Sequence, residues 1–438
     1  MSLESDLRRQ DDFTRRQFIT RAARSYLGVT LLPLVYRSLA SPGWGAPGAK
    51  VPGGKAEHVI FLNMNGGMSH LDTFDPKPRR SEVQGPVKVL DSKAPGVQVS
   101  EYLPQTATVM DKVCVINSMT SINGAHERGQ YVMHTSYAPL GTIVHPAIGS
   151  WVVRLADRRN QNLPGFVTIG TGPEVGSGGW MGSKYSAVPV LDPDQGLANS
   201  KRPAAVSANE FRDRLVMADE LNKRFHKQYR HGDVKGYEDL YAEATRLMTS
   251  EDLAAFDLSK EKETTREAYG KSRFGQGCLL ARRLVEKGVR FVEVTLGGWD
   301  THYDNFTAVK ARCDDFDRAY ASLLKELSDR NLLDSTLVVV GTEFGRTPTI
   351  QVEHNDGRDH HPSAFTCLMA GGGVTGGQKY GETDTRGERV KDKPVSLEDF
   401  NATIAYALRL PHEEVHMSPS GRPFTMANKG KPVTGIFG

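Results

Sequence analysis

The chain has 438 residues, 55 of them basic and 52 acidic, for a formal net charge of +3. That near balance gives no electrostatic footprint for nucleic acid, and the length suits one large α/β domain with insertions. With 44 glycines and 23 prolines the chain is loop-rich, and Cys114, Cys278, Cys313 and Cys367 lack metal-type spacing, so they are expected to be mostly buried thiols.

The first fifty residues carry an address. Thr14-Arg-Arg-Gln-Phe-Ile-Thr20 sets a twin arginine ahead of the weakly apolar segment 26–36, and small residues follow around Ala40 to Ala46. This order resembles a twin-arginine export signal over residues 1–46. It predicts the export machinery as a partner and a periplasmic or extracellular location. The apolar run is too short and interrupted to read as a membrane span, and no stable span is expected in the mature chain.

After a Pro/Gly-rich linker from Ser41 to Lys55, the run His58-Val-Ile-Phe-Leu-Asn-Met-Asn65 predicts the opening strand, with Asn65 at its tip before Gly66-Gly67. Val113 to Asn117 predicts a second buried strand. It leads into a segment where His126 and His134 fall about two turns apart, on one face of a helix. Pro164 to Gly170 predicts another strand, and the loop Gly176 to Gly182 lies on the surface. Residues 205–270 turn charged and helix-rich, which predicts a helical insertion.

Two later stretches concentrate the chemistry. Val289 to His302 and Leu337 to Pro348 each begin as a β-branched apolar run, stop at glycine, and open into Asp300, His302 and Glu343. Buried parallel strands deliver residues to a site in this way. Gly357-Arg-Asp-His-His-Pro362 follows, adding Asp359, His360 and His361. Carboxylates with imidazoles suit a divalent cation, here zinc, calcium or manganese. Between these stretches, the apolar spacing from Phe306 to Leu327 predicts a core helix. Leu368 to Gly377 predicts one more strand, and Ser396 with Asp399 predicts a capped helix.

Five ordered motifs carry a resemblance over nearly all of the chain after the linker. They are Asn65-Gly-Gly-Met-Ser-His-Leu-Asp-Thr-Phe-Asp-Pro-Lys77, Met133-His-Thr-Ser-Tyr137, Gly298-Trp-Asp-Thr-His302, Gly341-Thr-Glu-Phe-Gly-Arg-Thr-Pro348 and Gly357-Arg-Asp-His-His-Pro362. With them the sequence resembles the exported family called domain of unknown function 1501, within the alkaline phosphatase and sulfatase superfamily. The resemblance implies a three-layer α/β sandwich over residues 56–438, with a mostly parallel central sheet flanked by helices. It also implies one or two divalent metals at the strand ends and attack on a phosphate or sulfate ester.

Residue by residue, the resemblance puts Asn65 where relatives carry an aspartate ligand, and His126 near the place of their hydroxyl or thiol nucleophile. Glu343-Phe344 replaces an Asp-His pair. The expected metal ligands are drawn from Asn65, Asp300, His302, Glu343, His360 and His361. His126 is nucleophile, base or third ligand, and Arg128 or Arg346 neutralises developing anionic charge. The expected function is a metal-dependent hydrolase acting on a small-molecule or polysaccharide ester. The alternative is an exported binding or scaffold protein that keeps the fold without turnover.

Overall fold

The computed structural model describes residues 53–171, 175–198, 200, 205–228 and 243–438. The predicted export signal lies outside the described residues, as does part of the predicted 205–270 insertion. Among the described residues no helix is long and apolar enough to cross a membrane.

Nine strands form the central sheet: β1 (His58–Asn65), β2 (Val113–Thr120), β3 (Phe166–Ile169), β4 (Val188–Val190), β5 (Phe291–Gly297), β6 (Thr336–Gly341), β7 (Phe365–Ala370), β8 (Gln378–Tyr380) and β9 (Val395–Ser396). Their order is β8-β2-β7-β6-β1-β5-β3-β4, with β9 beside β2. β1 lies at the centre, parallel to β5 and β6. β7 is antiparallel to both of its neighbours, β2 and β6, while the other pairings in the sheet are parallel.

Period-two alternation divides the core. On β1, Ile60, Leu62 and Met64 enter one apolar cluster, while Val59 and Phe61 enter the other. The first cluster is completed by α4 (Arg273–Glu286) and α5 (Asn305–Asp329), the second by α1 (His126–Thr135), α2 (Ile148–Leu155) and α6 (Leu397–Ala407). Helices thus cover both faces of a mostly parallel sheet, as the sequence predicts. The predicted core helix is α5, whose apolar stripe from Val309 to Leu327 is buried. α6 begins with the expected capping box, Ser396 and Asp399 exchanging side-chain and backbone hydrogen bonds. All four cysteines are free and buried. Within residues 205–270, where the sequence predicts an insertion, the described residues form α3 (Ala208–Gln228) and short helical turns such as Glu263–Tyr269.

The strand directions place the site. β1, β2, β5 and β6 run the same way, so Gly66, the His126 segment, Asp300 and Glu343 all emerge at one edge. Because β7 runs the opposite way, its beginning meets that same edge. The two-residue ladder His360–His361 against Gly345–Arg346 stands just upstream of it. The segment entering antiparallel β7 therefore brings His360 and His361 to the ends of the parallel strands.

Candidate metal centre

The loop after β5 is pinned by Trp299, buried in the core, whose backbone N–H meets the Asn65 carbonyl at 3.4 Å. The turn after β1 is equally constrained: Gly66 has φ of 120°, and a Cβ there would stand 2.6 Å from the Asp300 nitrogen. These two turns fix Asp300 at the edge, its side chain 46% exposed.

Three imidazoles converge on one oxygen of that carboxylate. Asp300 Oδ1 lies 3.1 Å from His302 Nε2, 3.2 Å from His126 Nε2 and 3.3 Å from His360 Nε2. His302 Nε2 and His360 Nε2 are themselves 2.9 Å apart. The opposite ring nitrogens explain why the Nε2 atoms face inward. His360 Nδ1 meets the Gly124 carbonyl oxygen at 2.5 Å. A carbonyl can only accept, so Nδ1 carries the proton and Nε2 presents a lone pair. His126 Nδ1 meets Glu343 Oε1 at 2.7 Å, which fixes the same tautomer. His302 Nδ1 faces Asp359 Oδ1 at 3.5 Å. Lone pairs aimed at one another across about 3 Å repel unless a proton or cation stands between them. The donor set therefore fits a divalent cation with nitrogen and carboxylate ligands. Two overlapping groups, His126 with Asp300 and His360, and His302 with Asp359 and His360, have the required proximity.

Charge follows the geometry. Burial would raise the Asp300 carboxyl, but the hydrogen bond and charge of Arg346, joined by His126, outweigh it and bring it down to about 2. His126 is held above the ordinary imidazole value by its hydrogen bond to Glu343, against partial burial. His302 is lowered, chiefly by burial.

Glu343 stands one step behind the cluster. Its side chain is 0% exposed and its oxygens accept from His126, from the Gly66 N–H at 3.0 Å and from Gln130 Nε2 at 2.7 Å. Gly129 permits this approach, since a Cβ there would lie 3.1 Å from the Glu343 Cβ. Arg346 is likewise buried. It donates to the Gly67 and Arg358 carbonyls at 3.0 and 3.2 Å, to the Gly66 carbonyl, and to Asp300 Oδ1 at 2.5 Å. Four of its five N–H donors are thereby engaged, and it acts as a clamp on the loops.

Arg128, Asn65 and His361 are not among the residues that meet the Asp300 carboxylate. Arg128 is exposed on α1. Asn65 is half-buried at the β1 tip, opposite Gly297. His361 points away from the cluster: its Nε2 meets the Glu388 carbonyl at 2.7 Å and its ring stacks on His70 at 6.3 Å. Asp72 is buried and paired with the equally buried Arg358 at 2.8 Å. His134 pairs with Glu293 below the site at 2.9 Å. Gln130 and the Gly124 carbonyl are the participants that sequence reasoning missed. The only trace of Gln130 in the sequence is its spacing, four residues from each of His126 and His134.

Residues 56–437 match the family described as protein of unknown function (DUF1501). The chain belongs to that family. A search of curated proteins finds no match to this DUF1501 chain. Among solved structures it is similar to Ps i-CgsB in complex with a neocarrahexaose, at 10% identity and a TM-score of 0.42, over 88% of this chain and 76% of that one. It is similar to a protein in the alkaline phosphatase superfamily from Vibrio parahaemolyticus, at 11% identity and a TM-score of 0.39, over 88% and 72% of the two chains. It is also similar to the PsFucS1 sulfatase from Pseudoalteromonas sp., at 12% identity and a TM-score of 0.37, over 86% and 73%.

Proposed function

We propose that this DUF1501 protein is an exported, metal-dependent hydrolase acting on an ester of phosphate or sulfate. The observation that carries the reading is the convergence of His126, His302 and His360 Nε2 on Asp300 Oδ1, each contact within 3.3 Å. Asp300, His302 and His360 would hold the cation, with zinc, manganese or calcium as candidates; the nitrogen-rich set favours zinc. When bound, such an ion supplies Lewis acidity toward a phosphoryl or sulfuryl oxygen and lowers the pKa of water.

The chain's own groups divide the remaining work. Glu343 keeps the Nδ1 proton of His126 in place, so His126 Nε2 is free to ligate or to act as base or nucleophile at the first residue of α1. Arg346 orients Asp300 and the turn after β1. Arg128, two residues beyond His126, is the exposed guanidinium nearest to it in sequence for an anionic substrate group. The substrate is a small-molecule or polysaccharide ester.

A binding or scaffold role is the second reading. Asn65 in place of a carboxylate and an imidazole in place of a hydroxyl nucleophile favour it. The deciding experiment is elemental analysis of chelator-free protein, followed by assay of the metal-loaded form on p-nitrophenyl phosphate and p-nitrophenyl sulfate. Stoichiometric metal with turnover supports the hydrolase; metal without turnover on any ester supports the binder; no metal defeats the hydrolase reading. Export rests on Arg15 and Arg16, and an Arg15→Lys, Arg16→Lys double variant is expected to stay in the cytoplasmic fraction.

A further inference from the structure

We infer that Gln130 is a positioning residue of this centre, holding the Glu343 carboxylate and through it the tautomer of His126. The inference deepens the hydrolase reading and depends on it only in taking His126 Nε2 as directed toward a cation.

His126, Gln130 and His134 follow one another at intervals of four on α1 and share a face. Gln130 Nε2 donates to Glu343 Oε2 at 2.7 Å, which leaves Gln130 Oε1 to accept from Asn63 Nδ2 at 3.3 Å. Rotating the amide by half a turn would set its carbonyl against a carboxylate and its NH2 against another NH2. Both ends therefore fix one orientation. Glu343 Oε1 is occupied by the Gly66 N–H and by His126. With Gln130 on Oε2, donors restrain both oxygens and the carboxylate cannot turn away from His126.

The far end of this chain is anchored below the site. Asn63 Nδ2 also lies 3.4 Å from Glu293 Oε1, which is 2.9 Å from His134 Nε2. His134 Nδ1 faces the Gln130 backbone carbonyl at 2.8 Å, an oxygen that only accepts. Nδ1 therefore carries a proton, and a second proton lies between His134 Nε2 and Glu293. Both residues are buried. A buried pair of this kind costs desolvation and adds little net stability, while fixing the groups bonded to it. Gln130 connects that rigid pair, by side chain through Asn63 and by backbone through His134, to the carboxylate that orients His126.

The test compares the parent with Gln130→Met, which keeps volume without a donor, and Gln130→Glu, which turns the donor into a second carboxylate facing Glu343. Two-bond proton–nitrogen correlation spectra of histidine side chains in metal-free protein at alkaline pH report the His126 tautomer, assigned with His126→Gln. Zinc affinity is read by chelator competition. The parent is expected to hold the Nδ1–H tautomer. Both variants, if folded by circular dichroism, should show mixed tautomers and zinc binding weakened about 10–100-fold. An unchanged tautomer and unchanged zinc affinity in either folded variant would overturn the inference. A parent that binds no zinc defeats the metal reading alone, since the tautomer comparison still decides the role of Gln130.

Discussion

His302 Nε2 and His360 Nε2 stand 2.9 Å apart although 58 residues separate them in the chain. Both nitrogens face the same Asp300 oxygen, at 3.1 and 3.3 Å. Replacing His360 with alanine removes one apex of this triangle. Chelator-free His360→Ala protein is expected to lose at least half of the parent's metal on elemental analysis. His361→Ala should retain it, because His361 is bonded to the Glu388 carbonyl instead. Equal loss in the two variants would place the ion elsewhere.

Glu343→Gln changes one atom behind the cluster. The new NH2 must face either the Gly66 N–H or the Gln130 NH2, so a donor meets a donor. The expected results are about 10–100-fold weaker metal binding by chelator titration and a stability loss of about 1–3 kcal/mol in urea.

Arg358 and Asp72 form an ion pair with both side chains at 0% exposure. Arg358 also donates to the carbonyls of Thr347, Pro348 and Val83, tying its own segment to the 347–348 loop and to the short helix Ser81–Gln84. Arg358→Met should cost about 3–5 kcal/mol by denaturant unfolding, because a buried carboxylate is left without its partner. Adding Asp72→Asn should recover part of that loss. Full additivity of the two substitutions would contradict the pairing.

His70 supplies a pH dependence away from the proposed ligands. Burial, with a smaller contribution from His361, lowers its folded-state pKa from 6.5 to about 3. Between these values the unfolded chain binds the proton that the folded one refuses, so stability falls as pH falls through this window. The slope from this group approaches about 1.4 kcal/mol per pH unit. Urea midpoints measured across the window should show it, and His70→Gln should flatten it.

Strands and helices were legible because their apolar periods are strong. β1 alternates between two core clusters, and α5 keeps an apolar stripe over Val309 to Leu327. The acidic and imidazole residues after β5 and β6 were also legible, because a glycine that ends a buried run leaves the following polar residues at the sheet edge. Roles within those segments were less so. Arg346 and Asp72 belong to the conspicuous motifs yet are buried among carbonyls and an arginine, and Gln130 carries no motif at all.

By itself the sequence determined the α/β architecture, the family-bearing motifs and the stretches that meet at the sheet edge. These depend on local period and on where apolar runs stop. Tertiary structure decided which of two adjacent histidines faces the cluster, since neighbours on an extended strand point to opposite sides. It also decided that Glu343 holds an imidazole in place and that His360 arrives in the two-residue ladder just ahead of antiparallel β7. Those outcomes depend on distances between residues far apart in the chain, and no spacing within a single segment encodes them.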